Sequence, residues 1–304
     1  MSHLNRRALS AALIIALAAA PAARAAQSDD FAAQRALFAY DQKIPLGVVE
    51  KGRETREGVS VRDITFDALS GSEVAAYVVT PPGPGPFAAV LWVHWLGEPE
   101  TTNRTQFLNE AVTLASKGVV SVLVDAMWAA PDWFGKRVPE EDYGHSVRQV
   151  IALRRAMDLL LSQPQVDPSR VGLVGHDYGG MYSMMMAGVD QRVRTCVYVA
   201  VVPSLNDWAF LGPQPKSKAA YLRQNAALEL TDYLRQNQKV PTLLQFGTRD
   251  VYVSRVETAM VASAAGTKNR KFYETDHAMA LPEIAADRDA FLTKELGIGG
   301  PKQP

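Results

Sequence analysis

The stretch Val171-Gly172-Leu173-Val174-Gly175-His176-Asp177-Tyr178-Gly179-Gly180 decides how the rest of the chain is interpreted. Its first half is apolar or glycine, which is typical of a buried strand, and a helix-length segment follows Gly179. The glycines at 175 and 179 allow a sharp turn that thrusts Asp177 into a cleft at the start of a helix. Free N–H groups at a helix start favour an anion, so the turn predicts an ionised, chemically active aspartate. The alternative is an aspartate that only caps the helix.

Two downstream residues extend this pattern. Asp250 lies in the loop after a predicted strand at residues 240–246, and His277 follows the last predicted strand, residues 270–274. A reactive residue at a sharp turn, then an acid, then a histidine is the chain order of one type of catalytic triad. Asp276 is an alternative acid, but a residue adjacent to the histidine is expected to point elsewhere.

The rest of the chain predicts the sheet that would hold these residues. Residues 59–67 and 73–80 form an antiparallel hairpin around a turn at Ser70-Gly71-Ser72. Apolar strands then alternate with helices, which predicts an α/β fold with a mostly parallel sheet covered on both faces. In such a sheet the chemistry gathers at the carboxyl ends of the strands. The remaining predicted strands are 88–94, 119–125, 170–175 and 194–202, and the predicted helices are 104–117, 143–162, 179–187, 254–264 and 281–296.

One interval interrupts the alternation of strands and helices. Residues 203–239 separate two strands and contain a predicted helical stretch at 217–235. They form either a small lid over the strand ends or an ordinary helix with a long entry loop. No repeat or low-complexity linker divides the chain, so residues 26–304 are predicted to form one domain.

The first 25 residues have the features of an export signal. Arg6 and Arg7 precede an apolar run of about 13 residues, shorter than the about 20 that a membrane-spanning helix needs. We therefore expect the chain to be exported and cleaved, with the mature protein beginning near Ala26 in the periplasm or outside the cell and holding no membrane anchor. Loss of Arg6, Arg7 and Arg24 would leave 29 basic and 32 acidic side chains, which does not favour a nucleic-acid partner.

The cysteine content and the lack of sequence motifs for metal and phosphate binding favour a small-molecule site without a cofactor. The single cysteine, Cys196, cannot form an internal disulfide and lies in an apolar run where it is expected to pack. No spacing of His, Cys, Asp or Glu resembles a metal site, and no glycine-rich phosphate loop is found.

The segment Val59 to Leu296 resembles the α/β-hydrolases, in particular their dienelactone hydrolase-like branch. The turn Gly-His-Asp-Tyr-Gly-Gly is similar to that of epoxide hydrolases and haloalkane dehalogenases, which place aspartate at the nucleophile position. The resemblance implies a nucleophile at Asp177, a general base at His277 and an orienting acid at Asp250. The chain differs from those families at Tyr178, where they usually carry tryptophan, and in an insertion shorter than their caps.

Several aromatic residues are candidates for the walls and donors of the site. Trp95, in the loop His94-Trp95-Leu96-Gly97, and Tyr178 are expected to serve the oxyanion or the leaving group, while His94 is expected to tie loops together. Trp128 and Trp133 belong to an aromatic loop that is expected to line a substrate pocket. Tyr221 and Tyr233 are candidate donors from the insertion.

Three functions follow from an aspartate at the turn. A carboxylate that displaces an epoxide oxygen or a halide leaves a stable alkyl ester, which a histidine-activated water then cleaves. The alternative is a hydrolase of esters or lactones in which Asp177 is a base or an atypical nucleophile. A binding protein without activity is the third, and the presence of both His277 and Asp250 argues against it.

Overall fold

The computed structural model describes residues 31–69 and 71–299. Helix α1 (residues 31–36) belongs to a short unit that ends at Ala39, and the rest of the chain forms a second unit from Tyr40 onward. The predicted signal segment, residues 1–25, lies outside the described residues. Within the described ranges, no helix has the length and apolar content needed to cross a membrane.

The second unit is built on one nine-stranded sheet with the order β1-β2-β3-β5-β4-β6-β7-β8-β9. Strand β1 pairs antiparallel with β2, β2 with β3 and β3 with β5, and every later pairing is parallel. The predicted α/β-hydrolase fold with a mostly parallel sheet is therefore confirmed. The strands are β1 (Val49–Arg56), β2 (Val59–Leu69), β3 (Ser72–Thr80), β4 (Phe87–Val93), β5 (Val119–Val124), β6 (Val166–His176), β7 (Thr195–Val199), β8 (Thr242–Gly247) and β9 (Arg270–Tyr273).

Helices on the two faces of the sheet bury strands that are apolar throughout. All residues of β5 and β7 are buried, as expected for parallel strands covered on both sides. The later helices are α2 (Leu108–Ser116), α3 (Trp133–Lys136), α4 (Asp142–Leu161), α5 (Tyr178–Val189), α6 (Asn206–Ala209), α7 (Lys218–Asn225), α8 (Leu230–Gln236), α9 (Arg255–Ala265) and α10 (Pro282–Glu295).

Three predicted elements differ from the structure for identifiable reasons. Helix α2 begins at Leu108 instead of residue 104, because Asp125 accepts hydrogen bonds from both the backbone N–H and the guanidinium of Arg104 and holds that residue in a turn. The predicted helix at 217–235 is divided into α7 and α8, because Glu229 adopts an extended conformation. Strand β7 ends at Val199, because Ala200 has φ +50°.

The topology brings the predicted reactive residues to one edge of the sheet. Strands β4 and β6 are parallel neighbours, so His94 and Asp177 emerge side by side just beyond their carboxyl ends. Asp250 and His277 follow β8 and β9 in the same half of the sheet. The carboxyl edge of β4, β6, β8 and β9 is therefore where the site is built.

Candidate active site

The turn that carries Asp177 is tightly constrained. Asp177 has φ +57° and ψ −124°, a conformation that costs a non-glycine residue about 1–3 kcal/mol. A Cβ at Gly175 would lie 2.4 Å from the carbonyl oxygen of Gly179, and one at Gly179 would lie 2.3 Å from the carbonyl oxygen of Val93. The two glycines are therefore required by close backbone contact, and this contact holds Asp177 at the start of α5.

Asp177, His277 and Asp250 come together as a hydrogen-bonded row. His277 Nδ1 lies 2.7 Å from Asp250 Oδ2, and His277 Nε2 lies 3.3 Å from Asp177 Oδ1. Asp250 Oδ1 accepts the backbone N–H groups of Tyr252 at 2.8 Å and of Val253 at 3.2 Å, which fixes its carboxylate. Because a carboxylate can only accept, Nδ1 of His277 carries a proton and donates it to Asp250.

The two carboxylates also set the charge of the histidine. Burial disfavours the charged form of His277, but hydrogen bonds and charge interactions with Asp177 and Asp250 outweigh it and raise its pKa to about 9. At neutral pH the resting site therefore holds an imidazolium between two aspartates. Asp276 is exposed and accepts the N–H of Ala278, so it does not take the place of Asp250.

A backbone donor holds the second oxygen of Asp177. Leu96 N–H donates to Asp177 Oδ2 at 2.7 Å, whereas the predicted donor, Trp95, gives its N–H to Gln106 Oε1 at 2.8 Å. The indole of Trp95 donates to Thr101 Oγ1 and is not directed to a leaving group. The donor predicted at Trp95 thus belongs to the next residue, because Gln106 turns the Trp95 amide away from Asp177.

A cavity of about 670 Å³ opens in front of Asp177 and His277. Its walls combine apolar and aromatic side chains with a few charged ones, as is usual for a small-molecule site. The aromatic residues that line it are Trp95, Phe134, Tyr178, Trp208 and Tyr252, and the other charged residues are Glu98, Arg249 and Asp276.

Four residues predicted to serve the pocket do not line this cavity. Trp128 is fully buried and its indole donates to the His94 carbonyl, and Tyr233 donates to the Ala227 carbonyl within its own segment. Trp133 and Tyr221 line a separate pocket of about 20 Å³ behind Tyr178. The hydroxyl of Tyr221 donates to Asp142 at 2.8 Å and is thus held away from Asp177.

Two aromatic residues that the sequence analysis did not select form the wall beside His277. Trp208 and Tyr252 pack against the His277 ring at centroid distances of 5.3 and 5.1 Å, both close to perpendicular. Trp208 lies in α6, so the insertion contributes this wall instead of Tyr221 or Tyr233. Tyr252 follows Asp250 by two residues, a position that could have indicated it. Trp208 is the only tryptophan of the insertion.

Tyr178 stands between the large cavity and the small pocket. Its side chain is 6% exposed, and its hydroxyl has no hydrogen-bond partner among the described residues. Burial and the nearby Asp177 charge raise the pKa of this phenol well above its ordinary value, so it remains an O–H donor at neutral pH. Its backbone N–H has no acceptor within helix α5, which begins at this residue.

His94 makes the contacts between loops that were expected of it. It accepts the N–H of Ala126 at Nε2 and contacts the Trp95 carbonyl through Nδ1 at 2.8 Å. Burial lowers its pKa to about 4, so it is neutral and structural. Among residues 31–69 and 71–299, no group of His, Cys, Asp and Glu side chains is arranged to hold a metal ion.

Comparison with known proteins finds curated relatives of part of this chain. The chain is 28% identical over 204 residues to 2,6-dihydropseudooxynicotine hydrolase from Paenarthrobacter nicotinovorans, covering 63% of this chain and 52% of that protein. It spans about half the length of the curated relatives it matches.

Solved structures agree in fold at lower identity. The acetyl xylan esterase from Paenibacillus sp. R4 matches with a TM-score of 0.64 and 17% identity over 86% of this chain and 92% of that chain. An S-formylglutathione hydrolase from Agrobacterium tumefaciens matches with a TM-score of 0.61 and 17% identity over 83% of this chain and 99% of that chain. At such identities these likenesses show the fold alone.

A family model described as the alpha/beta hydrolase family matches residues 69–288, which include the turn at Asp177 as well as Asp250 and His277. The match covers well over half of the chain, and it confirms the enzyme class predicted from the sequence. The chain belongs to the alpha/beta hydrolase family.

Proposed function

We propose that this protein hydrolyses epoxides or alkyl halides through an alkyl ester formed on Asp177. The observation that carries the proposal is the division of labour between the two oxygens of Asp177. Oδ2 accepts the Leu96 N–H, while Oδ1 lies beside His277 at the cavity. In a carboxylate held in this way, one oxygen lies at the cavity and can attack a saturated carbon, and the other is already bound to a donor that can stabilise negative charge.

In the first step Oδ1 forms a bond to carbon, and the bond from that carbon to the epoxide oxygen or halide breaks. A halide departs as an anion and needs no proton. An epoxide oxygen becomes an alkoxide, and the proton on Nε2 of the His277 imidazolium can neutralise it. Tyr178 has a buried O–H beside the cavity and can donate a hydrogen bond to the same oxygen.

In the second step water attacks Cγ of the Asp177 ester. Ester formation removes the negative charge of Asp177, which is one of the two charges that raise the pKa of His277. The pKa of His277 therefore falls when the intermediate forms, and the neutral imidazole can take a proton from water. Leu96 N–H stabilises the oxyanion on Oδ2, and on collapse the imidazolium protonates the departing alkoxide to give the alcohol. The new carboxylic acid of Asp177 then returns a proton to His277, which restores the carboxylate and the imidazolium. With an epoxide the proton cycle closes within the site, whereas with a halide the imidazolium must release its proton to solvent before the second step, which favours epoxides over halides.

Esters or lactones are the second candidate substrates, because several similar structures are named esterases. An ester carbonyl polarised in this site would need the Leu96 N–H that Asp177 already occupies. A non-catalytic role is disfavoured by the row from Asp177 to Asp250, since a binding protein has no need of an oriented imidazole.

The decisive experiment uses His277→Gln with styrene oxide and 1-bromobutane as probes. The variant lacks the base for the second step, so an adduct should accumulate, and peptide mapping should place its mass on Asp177. The bromide is the stricter probe, because its departure needs no proton from residue 277. His145→Gln is the matched control, because His145 is a partly exposed histidine of α4 outside the cavity, and it should turn over like the unmodified protein.

A single turnover in heavy-oxygen water gives the complementary result. The alkyl-ester route takes the new product oxygen from Asp177, so the first product should be unlabelled. Label in that first product, together with no adduct on His277→Gln from either probe, would contradict the alkyl-ester route and favour the ester or lactone reaction instead.

Export remains a separate proposal that rests on the sequence of residues 1–25. Amino-terminal sequencing of the exported protein should find a start at or near Ala26. An intact Met1 in the periplasmic or secreted fraction would contradict it.

A further inference from the structure

His176 and Gln106 connect two parts of the site that lie far apart in the sequence. His176 is the last residue of β6 and is 1% exposed, and Gln106 lies just before α2. Gln106 Oε1 accepts the Trp95 N–H at 2.8 Å, Gln106 Nε2 lies 2.7 Å from His176 Nδ1, and His176 Nε2 lies 3.0 Å from the backbone oxygen of His277. These three contacts define the amide–imidazole bridge, made by Gln106 and His176.

The groups at the two ends of the bridge determine which of its atoms donate and which accept hydrogen bonds. The His277 carbonyl can only accept, so His176 carries its proton on Nε2. Nδ1 of His176 is then an acceptor and receives an N–H of the Gln106 amide, which leaves Oε1 to accept the Trp95 N–H. Burial and the nearby charge of His277 lower the pKa of His176 well below its ordinary value, so the neutral form that this pattern needs is the one present.

The bridge ends beside both groups that act on Asp177. At one end, Trp95 directly precedes Leu96, whose N–H holds Asp177 Oδ2. At the other end, the bonded carbonyl belongs to His277 itself, whose ring reaches Asp177 Oδ1. The Trp95 indole also stacks on His176 with a centroid distance of 4.9 Å and an interplanar angle of 12°, which restrains the imidazole.

We infer that Gln106 and His176 are positioning residues for this reaction, which set the placement of the Leu96 donor and the His277 imidazole relative to Asp177. Neither residue lines the cavity, so neither touches substrate. Displacement of a reacting group by about 1 Å can lower the rate roughly a hundredfold. A hydrogen-bonded bridge that fixes the loops of Leu96 and His277 can therefore have a large effect on the rate. The inference rests on the proposed roles of Asp177 and His277.

Three variants separate the contacts of the bridge. His176→Phe keeps a ring under Trp95 and removes both hydrogen bonds, whereas His176→Gln keeps a donor near the Nε2 position and should restore part of what His176→Phe loses. Gln106→Leu removes both the acceptor of the Trp95 N–H and the donor to His176 Nδ1. The matched control is Gln149→Leu, which also removes a side-chain amide that accepts a backbone N–H, that of Met127 at 2.8 Å, but does not belong to the bridge.

The first readout is the titration of His277 by NMR, which needs no substrate and so distinguishes this inference from the choice of substrate. In His176→Phe and Gln106→Leu the pKa of His277 should fall from about 9 toward 6.5, because the ring is less well held against the two carboxylates. In Gln149→Leu it should not move.

The second readout is kinetic, on whichever probe the unmodified protein turns over. The kcat of His176→Phe and Gln106→Leu should fall roughly tenfold or more, while KM stays within about twofold because no substrate contact is lost. A folded His176→Phe with unchanged His277 titration would overturn the inference. So would losses in Gln149→Leu equal to those in Gln106→Leu, since they would show a general packing effect.

Discussion

At the scale of single residues, the proposed chemistry of this site depends on one carboxylate. The turn at Asp177 would present a serine equally well, but a serine carries one oxygen where Asp177 carries two. The second oxygen, Oδ2, occupies the Leu96 donor in the resting protein. The proposed substrates follow from this difference, since a carboxylate gains most by attacking saturated carbon.

Tyr178→Phe separates a catalytic role of the hydroxyl from a structural one. Because the hydroxyl has no partner among the described residues, its removal should not lower the unfolding free energy. Turnover of epoxides should fall, by roughly a hundredfold if the O–H serves the leaving oxygen. Tyr221→Phe is the control: it loses a hydrogen bond to the buried Asp142 and should destabilise by about 2 kcal/mol. Thermal melts measure the stability of both variants, and initial rates measure their turnover. An unchanged epoxide rate in Tyr178→Phe would show that the hydroxyl does not serve the leaving oxygen and would leave only the backbone N–H of Tyr178 as a candidate donor.

The sequence predicted the row Asp177, Asp250 and His277 because each residue lies just beyond a strand end, in a fixed chain order. It did not predict Leu96 as the donor. The direction of the Trp95 amide depends on Gln106, eleven residues away, and no local signal in His94-Trp95-Leu96 reports that contact.

At the scale of elements, the insertion is held to the rest of the fold by a buried ion pair. Arg137 contacts Asp142 through Nε at 2.9 Å, and its Nη2 donates to the carbonyl of Ala209 in α6. Tyr221 of α7 donates to the same Asp142. The pair therefore fixes α6, and with it Trp208 at the wall of the cavity.

Arg137→Met should loosen this attachment. The variant leaves a carboxylate buried without its cation, which costs about 3–5 kcal/mol. KM should rise because Trp208 loses its support. Arg235→Met is the control within the same insertion, since the exposed pair of Arg235 with Asp232 is worth less than about 1 kcal/mol. Denaturant unfolding and KM measure the difference, and equal effects of the two substitutions would refute the attachment.

The alternation of apolar strands and helices predicted most of the fold, and the departures have physical causes. Strand β1 was missed because its sequence, VEKGRETR, is charged and almost wholly exposed, as suits an edge strand. Helices α7 and α8 were predicted as one, because the extended conformation of Glu229 has no marker in the surrounding sequence.

At the scale of the whole molecule, the imidazolium links stability to pH. His277 has a pKa of about 9 in the folded protein and 6.5 as its ordinary value, so the folded state binds the proton more tightly. This contribution, on the order of 3 kcal/mol, is fully present below pH 6.5 and is lost as pH rises through 9.

The melting temperature should therefore fall between about pH 6.5 and pH 9 by more than in a variant without this interaction. Asp177→Asn removes one of the two carboxylates that stabilise the His277 proton, so its melting temperature should fall less over this pH range. Asp276→Asn, at a nearby exposed carboxylate that does not contact the ring, should show the same fall as the unmodified protein. Calorimetry across this range checks the sign, and a melting temperature that rises with pH in the unmodified protein would refute it.

The occupied Leu96 donor has a consequence for inhibition. Fluorophosphonates and boronic acids capture many hydrolases of this fold by bonding to a serine and placing an oxygen on the same backbone donors. Here residue 177 carries no hydroxyl to modify, and its carboxylate fills the place that the inhibitor oxygen would need. The protein should be invisible to serine-directed activity probes and should instead be labelled by small electrophiles with a strained or activated carbon, which makes an epoxide-bearing probe the suitable reagent for detecting it in a mixture.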